Sequence, residues 1–279
     1  MKRAAWVLLA ALLGNAHAAE RVAVPSLDRV DGAAVSLVGF WFAAPGAGKA
    51  PAVILLHGCS GPYDARGNLG ERMQEYAARI NGLGAHALVL DSLSARGVKT
   101  LCVLREGARP VTQLHRRRDT LGAMEWLAAR ADVDASRLGL LGWSHGGSTV
   151  LASTNLRHTE VAVSALRPRF AAAFYPGCGL ELQRGYDASA PLLMLVGDAD
   201  DWTPAVPCQL LSRQAQGAKV AIETYAGAHH GFDSTQPVRH RADVPGGVNP
   251  GKGVHVGGDP TARAASLARL DDFVRTHLR

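Results

Sequence analysis

The chain has 279 residues, of which 47% are hydrophobic and 19% charged, so it can bury a sizeable core, and a single α/β domain commonly reaches this length. Its 30 basic and 24 acidic residues give a formal net charge of +6, and this mild surplus does not indicate a nucleic-acid-binding protein. The one basic cluster, Arg116-Arg117-Arg118, is interpreted as the solvated face of a helix, and no nucleic-acid partner is expected.

The first 18 residues have the pattern of a secretory signal peptide. Lys2 and Arg3 precede an apolar run at 4–13, and the small-residue segment 16–18 (Ala-His-Ala) resembles a cleavage site. A run of about ten apolar residues is too short for a membrane anchor, since a span needs roughly 20. We therefore expect removal of the signal peptide 1–18 and a mature chain 19–279 that forms one domain without stable membrane insertion. Its expected location is periplasmic or secreted.

After this segment the hydrophobic pattern alternates between short buried strands and helices. An antiparallel edge hairpin is expected at 30–42, followed by strands at 52–56, 87–90, 138–141, 171–174, 192–196 and 220–225. Helices are expected at 69–80, 114–129, 148–156, 206–214 and 261–277. This alternation predicts an α/β fold with a mostly parallel central sheet and helices on both faces. The long irregular stretches 92–110 and 234–259 are expected to be functional or disordered loops that shape a pocket.

The strongest chemical signal is the sequence Gly-Trp-Ser-His-Gly at 142–146. It ends a buried strand and opens a helical segment, which is the strand–turn–helix setting of a nucleophile elbow. The turn is tight, so a Cβ atom at Gly142 or Gly146 would collide with the adjoining strand or helix. The pattern therefore predicts that Ser144 is the nucleophile of an α/β-hydrolase fold.

A serine nucleophile needs a general base, and the base needs an orienting carboxylate. In the α/β-hydrolase fold the acid and then the histidine follow the serine along the chain, both at the carboxyl ends of strands. The candidate acids are Asp198, Asp200 and Asp201, after the strand 192–196, and the candidate bases are His229 and His230, after the strand 220–225. Spacing alone leaves the choice within each group open.

Across essentially the whole mature chain the sequence resembles the dienelactone hydrolase family of α/β hydrolases. The resemblance rests on the segments 57–61 (HGCSG), 142–147 (GWSHGG), 175–177 (YPG), 200–204 (DDWTP) and 230–232 (HGF). In that family the acid stands four residues before a proline, and the histidine precedes a small residue and a phenylalanine. The resemblance therefore implies Asp200 as the acid and His230 as the base, and leaves Asp198, Asp201 and His229 as loop residues.

An oxyanion hole for acyl transfer needs aligned N–H donors. One donor is expected from the backbone of His145, the residue after the nucleophile, and a second from the loop 57–61 after the first buried strand. The family resemblance implies the N–H of Cys59 as this second donor. His57 in the same loop is interpreted as a structural histidine that bonds the loop backbone.

Four cysteines, an even number, lie in the predicted mature chain. In an oxidising compartment this predicts disulfides, for which three pairings are possible. Cys59–Cys102 and Cys178–Cys208 are favoured, because each pair falls on neighbouring loops at the carboxyl ends of strands in the predicted fold. Buried free thiols at Cys102 and Cys208 are the alternative. The sequence lacks the spacing of zinc ligands, and no metal is expected.

Dienelactone hydrolase itself uses a cysteine nucleophile helped by a glutamate, whereas this chain has Ser144 and no acid at 57–61. We therefore expect a serine hydrolase that cleaves a small-molecule carboxylic ester or related acyl bond through an acyl-enzyme, without a cofactor. The alternatives are a peptidase or amide hydrolase on the same triad, and a non-catalytic exported binding protein on this scaffold. Trp143 and Trp202 are expected either to line the pocket or to pack in the core. Substrate preference and oligomeric state stay open.

Overall fold

The computed structural model describes residues 19–30, 32–46 and 48–279, so the predicted signal peptide lies outside the described residues. The strands are β1 (Glu20–Val30), β2 (Ala33–Phe42), β3 (Ala50–Leu56), β4 (His86–Asp91), β5 (Val133–Trp143), β6 (Phe170–Phe174), β7 (Asp187–Ala188), β8 (Leu192–Gly197), β9 (Gln216–Gly217), β10 (Val220–Tyr225), β11 (Arg239–Arg241) and β12 (Val254–Val256). The helices are α1 (Glu71–Gly82), α2 (Gln113–Ala128), α3 (His145–Thr154), α4 (Thr159–Val163), α5 (Gly179–Arg184), α6 (Ala205–Gln214) and α7 (Pro260–Leu278).

Eight strands form the central sheet in the order β1-β2-β4-β3-β5-β6-β8-β10. β1 and β2 form an antiparallel hairpin, β2 pairs antiparallel with β4, and the remaining pairs are parallel. Every residue of β4, β6 and β8 is buried, as expected for parallel strands that are covered on both faces. The predicted mostly parallel sheet is confirmed.

Helices cover both faces of this sheet and build an apolar core on each. On one face α2, α3 and α6 contribute Leu127, Leu151 and Leu211. On the other face α1 and α7 contribute Tyr76 and Phe273. Close packing of both cores holds the parallel strands in register, so the loops after their carboxyl ends emerge together at one edge. Among the described residues, no helix combines the length and the apolarity needed to cross a membrane.

The predicted elements are present with shifted ends and with some short additions. β1 begins at Glu20, well before the expected hairpin, because the strand continues to pair with β2 as far as Trp41. α3 begins at His145, directly after the candidate nucleophile. The stretch 92–110 contains two short 3₁₀ turns. The stretch 234–259 contains the antiparallel pair of β11 and β12, and we refer to it as the ribbon segment.

The interpretation of Arg116-Arg117-Arg118 as a solvated helix face is wrong. Arg116 and Arg117 are 0% and 7% exposed. Consecutive helix residues point about 100° apart, so three in a row cannot all face solvent on a helix that packs against both β1 and α3. Arg117 and Arg118 bind Glu160 of α4, whereas Arg116 points into the molecule near the nucleophile elbow.

Candidate active site

The nucleophile elbow connects β5 to α3. Ser144 has φ 54° and ψ −117°, a strained conformation for a residue with a Cβ atom. The helix approaches the sheet so closely that only glycine fits beside it. A Cβ at Gly142 would lie 2.3 Å from the carbonyl O of Gly146, and one at Gly146 would lie 1.9 Å from that of Leu56. The turn therefore holds the Ser144 hydroxyl at the carboxyl edge of the sheet.

Three side chains from different loops form a continuous row of hydrogen bonds. The Oγ of Ser144 lies 2.8 Å from Nε2 of His230, and Nδ1 of His230 lies 2.8 Å from Oδ2 of Asp200. His230 and Asp200 are each 4% exposed, so water competes little for these bonds. With the His230 proton on Nδ1, its Nε2 can accept the Ser144 proton. This order of nucleophile, base and acid suits acyl transfer by serine.

Backbone groups fix the Asp200 carboxylate in the loop after β8. Its Oδ1 accepts hydrogen bonds from the N–H groups of Trp202 and Thr203, each at 2.8 Å. The Thr203 hydroxyl lies 3.0 Å from the second oxygen, Oδ2, and 3.0 Å from Nδ1 of His230. The carboxylate is thus held by its own loop with Oδ2 directed at the imidazole.

The neighbouring acids and histidine have other partners in the described part of the chain. Asp198 accepts a hydrogen bond from the backbone N–H of Gly227 at 2.6 Å. Asp201 accepts one from the backbone N–H of His255 at 2.8 Å, and its other oxygen lies 2.7 Å from Nδ1 of that residue. Nδ1 of His229 lies 2.8 Å from a backbone carbonyl of the acid loop. The structure thus brings together the two residues that the family resemblance selected.

The two expected oxyanion donors lie beside Ser144. His145 is the first residue of α3, and N–H groups in the first turn of a helix have no intrahelical acceptor. Cys59 lines both cavities that Ser144 lines. The loop 57–61 is anchored because the carbonyl O of Cys59 accepts a hydrogen bond from the N–H of Leu101 at 2.7 Å. Both donors are backbone groups of anchored segments, which suits binding of an oxyanion without rearrangement.

All four cysteines form two disulfides, Cys59–Cys102 and Cys178–Cys208. The first ties the loop of the expected oxyanion donor to the stretch 92–110. The second ties the start of α5 to α6 at the wall of a cavity. These are the pairs that the sequence favours, and the structure contains no free thiol at Cys102 or Cys208.

Two cavities, of about 380 and 340 Å³, both include Ser144 in their walls. We name them the α5 cavity and the ribbon cavity, after the helix and the segment that close them. Trp202 lines both cavities, and its ring lies 4.7 Å from that of His230. Trp143 borders the ribbon cavity, but it is 1% exposed and its ring stacks on Phe174 at 6.0 Å. Trp202 is therefore a pocket residue, and the side chain of Trp143 is core packing.

His57 has the contacts of a structural histidine. Its Nδ1 lies 2.7 Å from the carbonyl O of Gly58, and its Nε2 accepts from the N–H of Ser92 at 3.3 Å. Burial, together with the charge of Arg116, lowers the pKa of His57 well below its usual value, so the ring is neutral. In the described part of the chain, no group of three or more His, Cys, Asp or Glu side chains is arranged to hold a metal ion.

A buried network behind His230 is not apparent from the sequence. The ring of Tyr175 lies 4.6 Å from that of His230, and its hydroxyl donates to Asp233 at 2.7 Å. The Tyr76 hydroxyl donates to the other oxygen of Asp233 at 2.8 Å, and Arg72 lies 3.3 Å from that carboxylate. Burial raises the pKa of both tyrosines well above the usual value, so both remain donors. The only sequence signal was the Tyr-Pro-Gly segment at 175–177.

Comparison with known protein families identifies the group to which this fold and site belong. The sequence model of the Dienelactone hydrolase family matches residues 38–278. The chain belongs to the dienelactone hydrolase family. This membership places it among hydrolases and confirms the resemblance seen in the sequence motifs.

Individual relatives of this dienelactone hydrolase family member are distant. An uncharacterised protein of Mycobacterium tuberculosis is 27% identical over 198 residues, which cover 66% of this chain and 64% of that protein. The chain therefore spans less than two thirds of the length of this relative. A dienelactone hydrolase-like promiscuous phosphotriesterase from metagenomic libraries has a TM-score of 0.64 at 20% identity, over 94% of this chain and 100% of that one. Esterase 2 of Thermogutta terrifontis, phosphorylated by paraoxon, has a TM-score of 0.60 at 14% identity, over 93% of this chain and 94% of that one. These structures confirm the predicted α/β-hydrolase fold.

Proposed function

We propose that this family member is an exported serine esterase that cleaves a small-molecule carboxylic ester through an acyl-enzyme. Ser144 is the nucleophile, His230 the general base and Asp200 the acid that orients it, while the N–H groups of Cys59 and His145 bind the oxyanion. The observation that carries the proposal is the row of hydrogen bonds from Ser144 through His230 to Asp200, at 2.8 Å each. The two disulfides support export, because disulfides persist in oxidising compartments.

The reaction consists of two half-reactions of the same kind. Nε2 of His230 takes the Ser144 proton as Oγ attacks the ester carbonyl carbon. The bond to the alcohol oxygen then breaks, the alcohol leaves with the proton from His230, and the acyl group stays on Oγ. Water attacks this acyl-enzyme and gives a proton to His230, which returns it to Ser144 as the carboxylic acid departs. Asp200 keeps the other His230 proton on Nδ1 throughout.

The activities named for proteins that share this fold favour an ester over an amide as the substrate. The combination of Ser144 with a loop 57–61 that lacks an acid departs from the cysteine and glutamate of dienelactone hydrolase, which favours a general carboxylesterase over a dienelactone hydrolase. Proteins that share the fold are named as an esterase and a phosphotriesterase. The α5 cavity and the ribbon cavity both border Ser144, and together they offer space for the acyl and alcohol parts of an ester.

The variant Ser144→Ala tests this proposal. We expect it to lose on the order of 10⁶ in kcat for 4-nitrophenyl butyrate, because triad residues act as a unit. Paraoxon should add one diethyl phosphoryl group to the parent protein, measured as intact mass, and none to the variant. Ser153→Ala is the matched control, since Ser153 is 1% exposed on the same helix outside the site and should keep both properties.

Three results would contradict the proposal in different ways. Hydrolysis by Ser144→Ala at the parent rate would show that another residue is the nucleophile. A parent protein that neither hydrolyses esters nor reacts with paraoxon would support the non-catalytic alternative. Faster cleavage of 4-nitroanilides than of the matching 4-nitrophenyl esters would support an amide hydrolase. A series of esters of increasing acyl length would then define the acyl preference.

A further inference from the structure

One arginine is buried next to the proposed oxyanion hole. Arg116 lies near the start of α2 and is 0% exposed. Its Nη1 donates to Nδ1 of His145 at 2.9 Å, and its Nη2 donates to the carbonyl O of His57 at 2.9 Å. A single planar side chain therefore bridges the loop after β3 and the first residue of α3.

The guanidinium of Arg116 has no ion-pair partner within the described residues. No carboxylate there lies within 4.0 Å of it, and its Nε has no hydrogen-bond acceptor. Burial lowers the pKa of Arg116 to about 10, against the more distant charges of Asp119 and Asp91. Asp119 binds Arg96 instead, and Asp91 accepts from backbone N–H groups. Burial of an unpaired charge in a protein core destabilises the fold. A residue whose only role is to fill space would therefore be expected to be uncharged.

The two segments that Arg116 bridges are those that carry the proposed oxyanion donors. The loop supplies the N–H of Cys59, two residues after the carbonyl that Arg116 holds, and α3 supplies the N–H of His145. The segments are in tight contact, since a Cβ at Gly146 would lie 2.5 Å from the carbonyl O of His57. The start of α2 therefore sets the spacing between two backbone groups that must act on one oxygen atom.

The same contact fixes the protonation of His145. A guanidinium can only donate, so Nδ1 of His145 accepts and the ring proton lies on Nε2. Burial, followed by the charge of Arg116, lowers the pKa of His145 well below its usual value. Gln113, which precedes Arg116 by about one turn, donates to the carbonyl O of His145 at 3.2 Å. The first residue of α3 is thus held by α2 at two points.

We propose that Arg116 is a positioning residue for acyl transfer at Ser144, which holds the N–H groups of Cys59 and His145 at a fixed spacing and places a positive charge near the oxyanion. The inference rests on the proposed esterase function. The oxyanion exists in the transition states and tetrahedral intermediates but not in the bound substrate. Arg116 therefore contributes to kcat and leaves KM unchanged.

The variants Arg116→Lys and Arg116→Met test this inference. Lysine keeps the charge but replaces the planar fork by one nitrogen, whereas methionine removes both. Loss of one oxyanion donor costs about 10²- to 10³-fold in kcat, so we expect a fall of about 10-fold for lysine and about 100-fold for methionine, with KM within about twofold. Arg117→Met is the matched control, because Arg117 is 7% exposed on the same helix and binds Glu160. It should lose stability but not kcat.

Inhibitor binding separates positioning from a purely structural role. A trifluoromethyl ketone forms an oxyanion adduct with a nucleophilic serine, whereas butyrate, a reaction product, forms none. We expect Arg116→Lys to weaken inhibition by the ketone by the same factor as it lowers kcat, and to leave inhibition by butyrate unchanged. Thermal unfolding of each variant, measured in parallel, identifies effects that come from loss of the fold. If Arg116→Met does not fold, the kcat and the ketone affinity of Arg116→Lys test whether Arg116 is a positioning residue.

A double-mutant cycle with His145→Ala identifies the route of the effect. This variant keeps the backbone N–H of residue 145 and removes one of the two acceptors of Arg116, Nδ1 of His145, while the carbonyl O of His57 remains. If Arg116 acts through His145, the double variant Arg116→Met with His145→Ala has the same kcat as Arg116→Met alone. Parent values of kcat and ketone affinity in Arg116→Lys, with normal paraoxon labelling, would overturn the inference and leave the esterase proposal intact. A parent protein without hydrolysis or labelling would remove the esterase proposal itself.

Discussion

In the loop after β8 three carboxylates lie within four residues, and each has a different partner. Asp200 faces His230, Asp198 bonds the backbone, and Asp201 bonds His255. We expect Asp200→Asn to lower kcat by up to about 10⁴, because an amide that donates to Nδ1 favours the wrong imidazole tautomer, as in serine proteases. Asp198→Asn and Asp201→Asn should keep most of the kcat. Turnover of 4-nitrophenyl acetate, with circular dichroism to confirm folding, measures the difference.

The outcome for Asp198→Asn is the decisive comparison. If this variant is the inactive one, Asp198 and not Asp200 is the acid that orients His230. If all three variants keep the parent kcat, none of these carboxylates orients His230. Either result would contradict the triad as proposed while leaving Ser144 to be tested separately.

Single residues differ in how far the sequence can predict where they lie. The position of Ser144 in the turn between β5 and α3 could be predicted because its motif combines a buried strand, a turn and a helix within a few positions. Asp200 and His230 could be selected only through the family resemblance, because spacing does not distinguish neighbouring side chains. Arg116 could not be predicted, since its burial depends on which side of α2 meets α3. Asp233 could not be predicted either, because its tyrosine partners are 157 and 58 residues away.

Whole elements were predictable where they are buried on both faces. The apolar runs of β3, β4, β6 and β8 mark strands because no polar residue interrupts them. α5 has six residues, and β11 and β12 have three each, which is too short for a hydrophobic period to be recognised. Tertiary contacts stabilise these elements, and they close the two cavities beside Ser144.

The ribbon segment is fastened to the site at several points. The N–H of Gly257 donates to the carbonyl O of His230 at 2.9 Å. The N–H of Val248 donates to the carbonyl O of Asp201 at 2.8 Å. The side chains of His255 and Asp201 add a partly exposed pair at 2.7 Å. Because the segment lines the ribbon cavity and bonds His230 at its backbone carbonyl rather than at its imidazole, we expect it to influence how large a substrate the site holds.

The variant His255→Ala tests this role of the ribbon segment. We expect KM to rise several-fold for esters with a bulky alcohol or acyl group and kcat for 4-nitrophenyl acetate to stay within about twofold, since uniform binding is lost without loss of transition-state stabilisation. His240→Ala is the control, because its ring lies 5.1 Å from that of His255 at an angle of 49° and its Nε2 lies 2.8 Å from the carbonyl O of Lys252, whereas it is His255 that bonds Asp201. An equal fall in kcat for small and bulky esters would show that the segment acts on the triad instead.

At the scale of the whole molecule, the carboxyl edge of the sheet is held by two covalent links as well as by packing. The disulfide Cys59–Cys102 joins residues that are 43 positions apart in the sequence, and Cys178–Cys208 joins residues that are 30 positions apart. The first restrains the segment of a proposed oxyanion donor, and the second restrains α5 and α6 around the α5 cavity. The chain-entropy model gives each link about 4 kcal/mol of stability at these lengths. The two links should therefore contribute similarly to stability and differently to catalysis.

Removing one link at a time separates these effects. We expect the pair Cys59→Ser with Cys102→Ser to lower both the melting temperature and kcat, because the loop that carries the N–H of residue 59 gains freedom. Cys178→Ser with Cys208→Ser should lower the melting temperature by a similar amount and leave kcat within a few-fold. Mass spectrometry of the non-reduced parent protein, produced in the periplasm, should find no free thiol. Free thiols in that material would show that the covalent links do not form. Equal loss of kcat in both double variants would show that the link Cys59–Cys102 has no special role at the oxyanion hole.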